Sequence, residues 1–138
     1  MGKPEVSLLL DTHVWIWTQE RPEQIGSKTR RRMERREEEL FVSTYSSLEL
    51  ARLCEAERIE LKGSLELWTE TSLKSLHCAE VDLSREIALG AYQLPGEFHR
   101  DPVDRVLVAT ARVMGLTLVT ADERILRYRK VKTLDART

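Results

Sequence analysis

Four carboxylates are the residues of this chain whose type and spacing could support chemistry: Asp11, Glu49, Asp104 and Asp122. Two of them follow short apolar runs, and the other two lie in the first turns of amphipathic segments. In a parallel sheet, the carboxyl end of each strand and the start of the next helix lie on one edge, so we expect all four acids to meet there. Gathering four negative charges is unfavourable unless a cation joins them, and a hard divalent ion with oxygen ligands is the simplest candidate.

The elements that must position these acids alternate along the chain. Short apolar runs are separated by helical periods, which is typical of βα units. We predict an α/β fold, a three-layer α/β/α sandwich with a central, mainly parallel five-stranded sheet and right-handed crossovers. Its strands are expected near 7–10, 40–43, 79–81, 117–119 and 131–134.

Capping residues and glycines set the predicted helix limits. One helix opens at Ser46 and carries its apolar positions past Ile59 to Lys62 and Gly63. The others run from Ser64 to Leu76, from Ser84 to Leu94, and from Asp101, with Pro102 in the first turn, to Gly115. The acidic start with proline is characteristic of a helix N-terminus.

Each carboxylate also has a purely structural explanation. Glu49 could complete a capping box begun by Ser46, and Asp104 could stand in the same relation to Asp101. Asp11 and Asp122 could each cap the helix that follows. Capping is served equally well by Ser, Thr or Asn and does not require strand-end acids to converge. The set of four therefore favours a metal site over four independent caps.

The length and charge of the chain bound its class. A chain of 138 residues makes one domain, which we expect to span residues 1–138. The formal net charge of −1 predicts no general attraction to nucleic acid, so any such binding needs a local patch. No signal-peptide core or membrane span is expected at the N-terminus. Cys54 and Cys78 lack metal-ligand spacing and suit reduced thiols, which together indicates a cytoplasmic protein.

The segment from Lys28 to Glu39 is dense in charge of both signs. Its simplest interpretation is a solvated helix whose opposite charges pair along the surface. The alternative is a face that contacts phosphates, which gains weight only if the acidic edge handles nucleic acid.

Four ordered motifs resemble those of the PIN-domain family, in its VapC-type branch. They are Leu8-Leu9-Leu10-Asp11-Thr12-His13-Val14-Trp15, Ser47-Leu48-Glu49-Leu50-Ala51, His99-Arg100-Asp101-Pro102-Val103-Asp104-Arg105 and Thr120-Ala121-Asp122-Glu123. They occur in the family order, and the resemblance spans Leu8 to Leu134. It implies a metal-dependent endoribonuclease, the toxin of a toxin–antitoxin pair, with a doubly wound α/β/α fold.

The resemblance also implies roles for individual residues. Asp11, Glu49, Asp104 and Asp122 carry over as the catalytic acids that bind one or two Mg²⁺ or Mn²⁺ ions. Thr12, Asp101 and Thr120 are expected to support them. Arg52, Arg100 and Arg105 are candidates for contacting the RNA substrate, although a salt bridge to a nearby acid explains each of them as well. His13 and His99 are expected to hold structural hydrogen bonds.

A homodimer and a small antitoxin partner are further implications of the resemblance. A cluster of negative charge is a natural receptor for a basic side chain of such a partner. Two other classes of protein with acidic sites fit less well. A dehalogenase-type phosphatase needs an aspartate where His13 stands. A phosphorelay receiver domain needs a lysine at the end of a late strand, and the segment from Leu116 to Asp122 has none. A non-enzymatic alternative stays open: a PIN-like module that binds RNA or an antitoxin without nuclease activity.

Overall fold

Five parallel strands form the centre of the fold in the computed structural model, which describes residues 7–35 and 38–138. They are β1 (Leu8–Leu10), β2 (Leu40–Ser43), β3 (Cys78–Val81), β4 (Thr117–Thr120) and β5 (Thr133–Asp135). Their order in the sheet is β3-β2-β1-β4-β5, and every neighbouring pair is parallel. The predicted sheet is confirmed, with β5 slightly later in the chain than expected.

Helices connect the strands. They are α1 (Thr12–Glu20), α2 (Ser27–Met33), α3 (Thr44–Glu55), α4 (Leu65–Leu76), α5 (Arg85–Gly90), α6 (Pro102–Met114) and α7 (Glu123–Leu126). Ser64, Ser84 and Asp101 cap α4, α5 and α6 as predicted, and Gly115 ends α6 in the left-handed conformation with φ 69°. Among the described helices, none combines the length and the apolar character needed to cross a membrane.

Alternating side chains of the strands build two apolar layers. Leu8 and Leu10 of β1 face one layer, which α1, α2 and α4 cover. Leu9 faces the other layer, which includes Leu107 of α6 and Ile125 of α7. Because all three residues of β1 are fully buried, this strand lies at the centre of the sandwich and its carboxyl end is shielded on both faces.

The limits of α3 differ from the prediction at both ends. Ser43, rather than Ser46, is the N-cap, and its hydroxyl accepts a hydrogen bond from the amide of Tyr45 at 3.0 Å. The helix ends at Glu55 because Glu57 adopts a left-handed conformation with φ 58°. The amides of Glu57 and Arg58 then bond back to carbonyls of the last turn, as in a Schellman motif. The apolar side chains beyond this point reach the core from a loop.

Helix α5 is also shorter than predicted, ending at Gly90 instead of near Leu94. The carbonyl of Ala91 accepts a hydrogen bond from Arg105 Nη1 at 3.0 Å. The same guanidinium also donates hydrogen bonds to the carbonyls of Phe98 and His99. These bonds hold the segment after α5 against α6, and this segment does not continue as a helix.

The charge-dense segment is only partly helical, because α2 ends at Met33. Glu38 pairs with Arg32 at 3.2 Å and with Arg35 at 3.5 Å, so the expected pairing of opposite charges is present. Arg36 and Glu37, which belong to the same predicted segment, lie outside the described residues.

Cys54 and Cys78 are free and partly buried. Burial, assisted by the negative charge of Glu80, raises the pKa of the Cys78 thiol to about 12. The thiol of Cys78 is therefore protonated at neutral pH and is a poor nucleophile.

The C-terminal segment lies directly against Gly26, the residue that precedes α2. The amide of Gly26 donates to the carbonyl of Ala136 at 2.9 Å. A Cβ atom at Gly26 would collide with backbone atoms of Arg137 and Thr138. The close approach of these two backbones therefore requires glycine here.

We expect Gly26→Ala to lower the free energy of unfolding by about 1–3 kcal/mol, because the C-terminal backbone must shift to admit a methyl group. Urea denaturation provides the measurement. Gly90→Ala, at the end of α5, is the matched control. Its new Cβ would lie 3.8 Å from the Cβ of Ala109 in α6, which is an ordinary van der Waals contact. The control should be neutral or up to about 1 kcal/mol more stable. Equal stability of the two variants would contradict the close approach at Gly26.

Candidate active site

The acidic edge lies at the point where the strand order reverses. The chain runs outward from β1 to β2 and β3, then returns to place β4 on the other side of β1. In open α/β sheets, the crevice beyond the carboxyl ends of the strands at such a point is the usual ligand site. Asp11 follows β1 and Asp122 follows β4. The sheet topology therefore places both strand-end acids at the same crevice.

Asp11 is the most deeply buried of the four acids, with 3% of its surface exposed. Its Oδ1 accepts the amide of Thr12 at 2.7 Å, which caps α1, and its Oδ2 accepts the hydroxyl of Thr120 at 2.6 Å. The hydroxyl of Thr120 in turn accepts the amide of Asp122 at 3.0 Å. Thr120 thus links the acids that follow β1 and β4 and holds the Asp11 carboxylate in one orientation.

Glu49 reaches the edge from α3. With Ser43 as the N-cap, Glu49 lies in the second turn of the helix, so the sequence assignment to a first turn was wrong and the proposed capping box with Ser46 does not form. Ser46 is buried and instead accepts the hydroxyl of Thr12 at 2.8 Å. This bond joins α1 to α3 one turn before Glu49. It leaves the Glu49 carboxylate without a capping role.

Asp104 lies in the first turn of α6, with 8% of its surface exposed. Asp101 already caps this helix, because its Oδ1 accepts the amides of Val103 at 2.9 Å and of Asp104 at 3.1 Å. Asp104 Oδ2 instead lies 3.0 Å from Nε2 of His99 and 3.8 Å from Nη2 of Arg124. The Asp104 carboxylate therefore faces the crevice and does not serve the helix.

Asp122 combines a capping role with membership of the acidic cluster. Its Oδ1 accepts the amide of Arg124 at 2.8 Å and so caps α7, as the sequence predicted. Its Oδ2 lies 3.2 Å from Arg124 Nη2, the same nitrogen that approaches Asp104. One guanidinium therefore bridges two of the four carboxylates.

Burial is the largest influence on the pKa values of the four acids, and the charges of neighbouring groups modify it. Burial raises the pKa of Asp104 to about 8, and the charges of Asp11, Asp101 and Asp122 contribute to the rise. Burial likewise raises the pKa of Asp11 and of Glu49. Burial also acts to raise the pKa of Asp122, but the hydrogen bonds and charge of Arg124 outweigh it and hold the pKa below its usual value.

Two histidines lie beside the acids, as the sequence suggested. His13 Nδ1 is 3.6 Å from Asp11 Oδ2. His99 Nδ1 accepts the amide of Asp101 at 3.4 Å, so the neutral ring carries its proton on Nε2. That buried Nε2 has no aligned hydrogen-bond partner among the described residues, despite its proximity to Asp104. Burial and the charge of Arg124 lower the pKa of His99.

The donor set suits a hard cation, but the described residues do not form a ready-made cage. Within 7–35 and 38–138, no three histidine, cysteine, aspartate or glutamate side chains already stand in a metal-binding arrangement. What the cluster offers is carboxylate oxygen, the ligand type that Mg²⁺ and Mn²⁺ prefer. Burial is the main reason why the pKa values of Asp11 and Asp104 are raised, so ionising these two carboxyl groups is unfavourable when no cation is bound. A divalent cation therefore fits the chemistry of the site, with Arg124 partly in its place.

The three arginines proposed for substrate contact lie in different surroundings. Arg52 is exposed and its guanidinium lies 3.8 Å from Glu49. Arg100 is exposed next to Asp101. Arg105 donates to the three carbonyls between Ala91 and His99 described above, so its visible role is to hold that segment against α6.

Sequence reasoning did not identify Arg124, the cation that bridges Asp104 and Asp122. It also did not identify the basic segment formed by residues 124–132, which starts at Arg124. The signal was present, because these nine residues contain five cations and no acid, in a chain with a net charge of −1.

The fold and site together define a parallel α/β/α domain with an acidic crevice at its topological switch point. The family model described as PIN domain matches residues 8–131. The chain belongs to the PIN-domain family, as the four motifs indicated.

Individual relatives agree with this assignment. Ribonuclease VapC22 of Mycobacterium tuberculosis is 35% identical over 123 residues, which cover 89% of this chain and 92% of the relative. The crystal structure of VapBC2 from Rickettsia felis bound to a promoter DNA fragment aligns with a TM-score of 0.66 at 14% identity, covering 94% of this chain and 98% of that chain. A toxin–antitoxin complex from Klebsiella pneumoniae aligns with a TM-score of 0.66 at 18% identity, covering 94% and 97%. These structures share the fold.

Asp104→Asn is expected to stabilise the metal-free protein. An acid whose pKa rises from 3.8 to about 8 on folding opposes folding increasingly as pH rises between those values, and fully above the higher one. The gain from Asp104→Asn should therefore be roughly three times larger at about pH 8.5 than at about pH 5, and reach on the order of a few kcal/mol at the higher pH. Urea denaturation with a chelator present measures it.

Glu60→Gln, which removes an exposed acid from the loop after α3, is the control and should change stability little at either pH. Added Mg²⁺ should then stabilise the unsubstituted protein more than Asp104→Asn. An Asp104→Asn protein that is less stable than the unsubstituted one at both pH values would contradict the unfavourable burial of the Asp104 charge.

Proposed function

We propose that this protein is a metal-dependent endoribonuclease that acts in the cytoplasm as the toxin of a toxin–antitoxin pair. The observation that carries the proposal is the placement of four acids, Asp11, Glu49, Asp104 and Asp122, at the switch point of the sheet. Family membership and the relative named a ribonuclease support RNA as the substrate. The finer assignment of Mg²⁺ or Mn²⁺, as one or two ions, rests on the oxygen ligands.

The four acids would hold the cation, which when bound supplies positive charge at the phosphate and lowers the pKa of a water molecule. The residues around them perform the remaining tasks. Thr120 and the amide of Thr12 keep both oxygens of Asp11 in fixed directions, so the carboxylate needs little reorganisation. Thr12 also ties α1 to Ser46 and so sets the position of α3 and Glu49. Asp101 supports the site by capping α6 beneath Asp104.

Arg124 keeps Asp122 ionised, because its guanidinium pairs with the Asp122 carboxylate. Its guanidinium can also meet a phosphate oxygen at the mouth of the crevice, since more than half of its side chain is exposed. Arg52 and Arg100 remain proposed substrate contacts. We propose that Arg105 affects the substrate indirectly, because it holds the segment between α5 and α6 in place. No side-chain nucleophile is required, so we expect hydrolysis to leave a 5′-phosphate and a 3′-hydroxyl.

Asp11→Asn is expected to lower the RNA cleavage rate by at least about a hundredfold, because it removes the buried negative charge around which the site is built. Cleavage of a structured RNA in Mg²⁺ or Mn²⁺, followed on denaturing gels, is the measurement, and a chelator should abolish it. Glu60→Gln should cleave like the unsubstituted protein. Sequencing of RNA 5′ ends after induction would then identify the sites.

RNA that stays intact with both metals would favour the non-enzymatic alternative, a module that binds RNA or an antitoxin. Cleavage by Asp11→Asn at the unsubstituted rate would instead show a nuclease that does not use this crevice. The two failures are separable because the first concerns activity and the second concerns its location.

The antitoxin partner and the homodimer are further proposals, and the homodimer rests on family membership. The structures similar in fold include a toxin–antitoxin complex, and the acidic crevice suits an arginine fork from a partner. Co-expression with the product of the neighbouring reading frame should yield a stable complex that cleaves RNA at least about tenfold more slowly, as tight occupation of the crevice requires. Failure to co-purify would contradict the antitoxin proposal, and monomeric behaviour at all concentrations would contradict the dimer.

A further inference from the structure

A run of positive charge begins at the acidic crevice and continues away from it. Residues 124–132 form α7 and the connection from α7 to β5, and they contain Arg124, Arg127, Arg129, Lys130 and Lys132 without an acid. All five cations are exposed. In a chain with a net charge of −1, this segment is a concentrated positive surface.

Two neighbouring cavities lie along this surface. The larger, of about 440 Å³, is bounded by His99, Arg124, Arg127, Arg129 and Lys130, with Phe98 and Tyr128 as an aromatic wall, and the acid Glu97 also borders it. The smaller, of about 290 Å³, is bounded by Arg112, Lys130 and Lys132 near the amino end of β5. Lys130 borders both cavities, so they lie next to each other along the surface. We call the cations Arg127, Arg129, Lys130 and Lys132 the basic track.

The wall of the larger cavity is held rigidly by the fold. The hydroxyl of Tyr128 donates to the carbonyl of Pro95 at 2.6 Å, and its ring lies 4.8 Å from that of Phe98. Arg105 fixes the carbonyl of Phe98 at 2.8 Å. The cations therefore project from a shaped support and not from an unrestrained loop.

The larger cavity borders the acidic crevice. Two of its bounding residues, His99 and Arg124, are also the two that approach Asp104. A phosphate at the crevice would therefore have its neighbours along the strand within reach of the basic track.

From this arrangement we propose that the basic track binds the sugar–phosphate backbone of single-stranded RNA as the strand leaves the acidic crevice. The inference rests on the proposed ribonuclease function and adds a path for its substrate. Phosphates are repelled by four carboxylates, so a nearby line of cations is needed to bring a polyanion to this site. An exposed groove of cations beside aromatic rings is a usual way to hold a single strand.

The surroundings of the cations favour this role over a structural one. Arg32 and Arg35, in the other basic segment, are neutralised by Glu38. Within the described parts of the chain, the ion pairs of residues 124–132 involve Arg124 alone. Arg127 Nε donates to the main-chain carbonyl of Glu123 at 3.3 Å, which leaves its charge without an acidic partner. The charges of the four cations of the basic track are thus available to an external anion.

The test is the binding of a fluorescent oligouridylate to Arg127→Gln/Arg129→Gln, measured by anisotropy at several salt concentrations. Asp11→Asn is present in every protein so that the probe stays intact. Two lost phosphate contacts should weaken binding at low salt and make the slope of log affinity against log salt shallower by about 1.4, at about 0.7 per contact. Thermal unfolding checks that the exposed substitutions leave the fold intact.

Arg58→Gln/Lys62→Gln is the matched control, with the same loss of charge on the exposed α3–α4 connection, whose Ile59 and Leu61 pack on the opposite face of the sheet. It should bind the probe like the parent. Equal affinity and slope for the two double variants would overturn the proposal. Poly-glutamate that binds as tightly as oligouridylate, with the same loss in the track variant, would also overturn it by identifying a site for acidic protein.

The outcome is separable from that of the proposed function. Unsubstituted protein that cleaves RNA while the track variant binds normally would leave the ribonuclease standing without this path. Binding that depends on the track, with no cleavage in Mg²⁺ or Mn²⁺, would support the track and reject the nuclease.

Discussion

Negative charge held inside the carboxyl edge of the sheet is the constraint around which this structure is organised. Asp11 is nearly inaccessible to solvent, between a fully buried strand and the start of α1. A carboxylate in such a place is stable only if its oxygens are hydrogen-bonded. The amide of Thr12 and the hydroxyl of Thr120 fill that need. The amide is available because α1 begins directly after Asp11, and the hydroxyl is available because β1 and β4 are neighbours in register. The switch in strand order is thus part of how the charge is tolerated.

The cations of the chain divide into three groups according to what they offset. Arg105 gives its donors to main-chain carbonyls and shapes the segment between α5 and α6. Arg124 bridges two acids of the crevice and limits their repulsion. The cations that follow it face solvent, where their charge is left for a ligand. The small net charge of the chain conceals this separation, because an acidic crevice and a basic surface nearly cancel.

Much of the fold was readable from the sequence, because apolar runs and capping residues act locally. The strands, the starts of α4, α5 and α6, and the carboxyl-edge position of the acids were all predicted. The limits of α3 were not, because Ser43 and Ser46 are both good caps, and only the tertiary bond from Thr12 to Ser46 decides between them. The basic run was missed for a related reason. It has no helical or strand period, and its meaning depends on the packing of Phe98 against Tyr128.

Asp104 gives the clearest reason to assign the crevice a chemical role. An acid in the first turn of a helix is favoured by the helix dipole by about 0.3–1 kcal/mol, which lowers its pKa. The pKa of Asp104 is instead raised to about 8 by burial and by neighbouring carboxylates. Asp101 already caps α6 by accepting the amides of Val103 and Asp104, so Asp104 is not needed as a cap. A buried acid that opposes folding when ionised and has no capping task agrees with the proposed cation site, because a bound cation would make the ionised arrangement favourable.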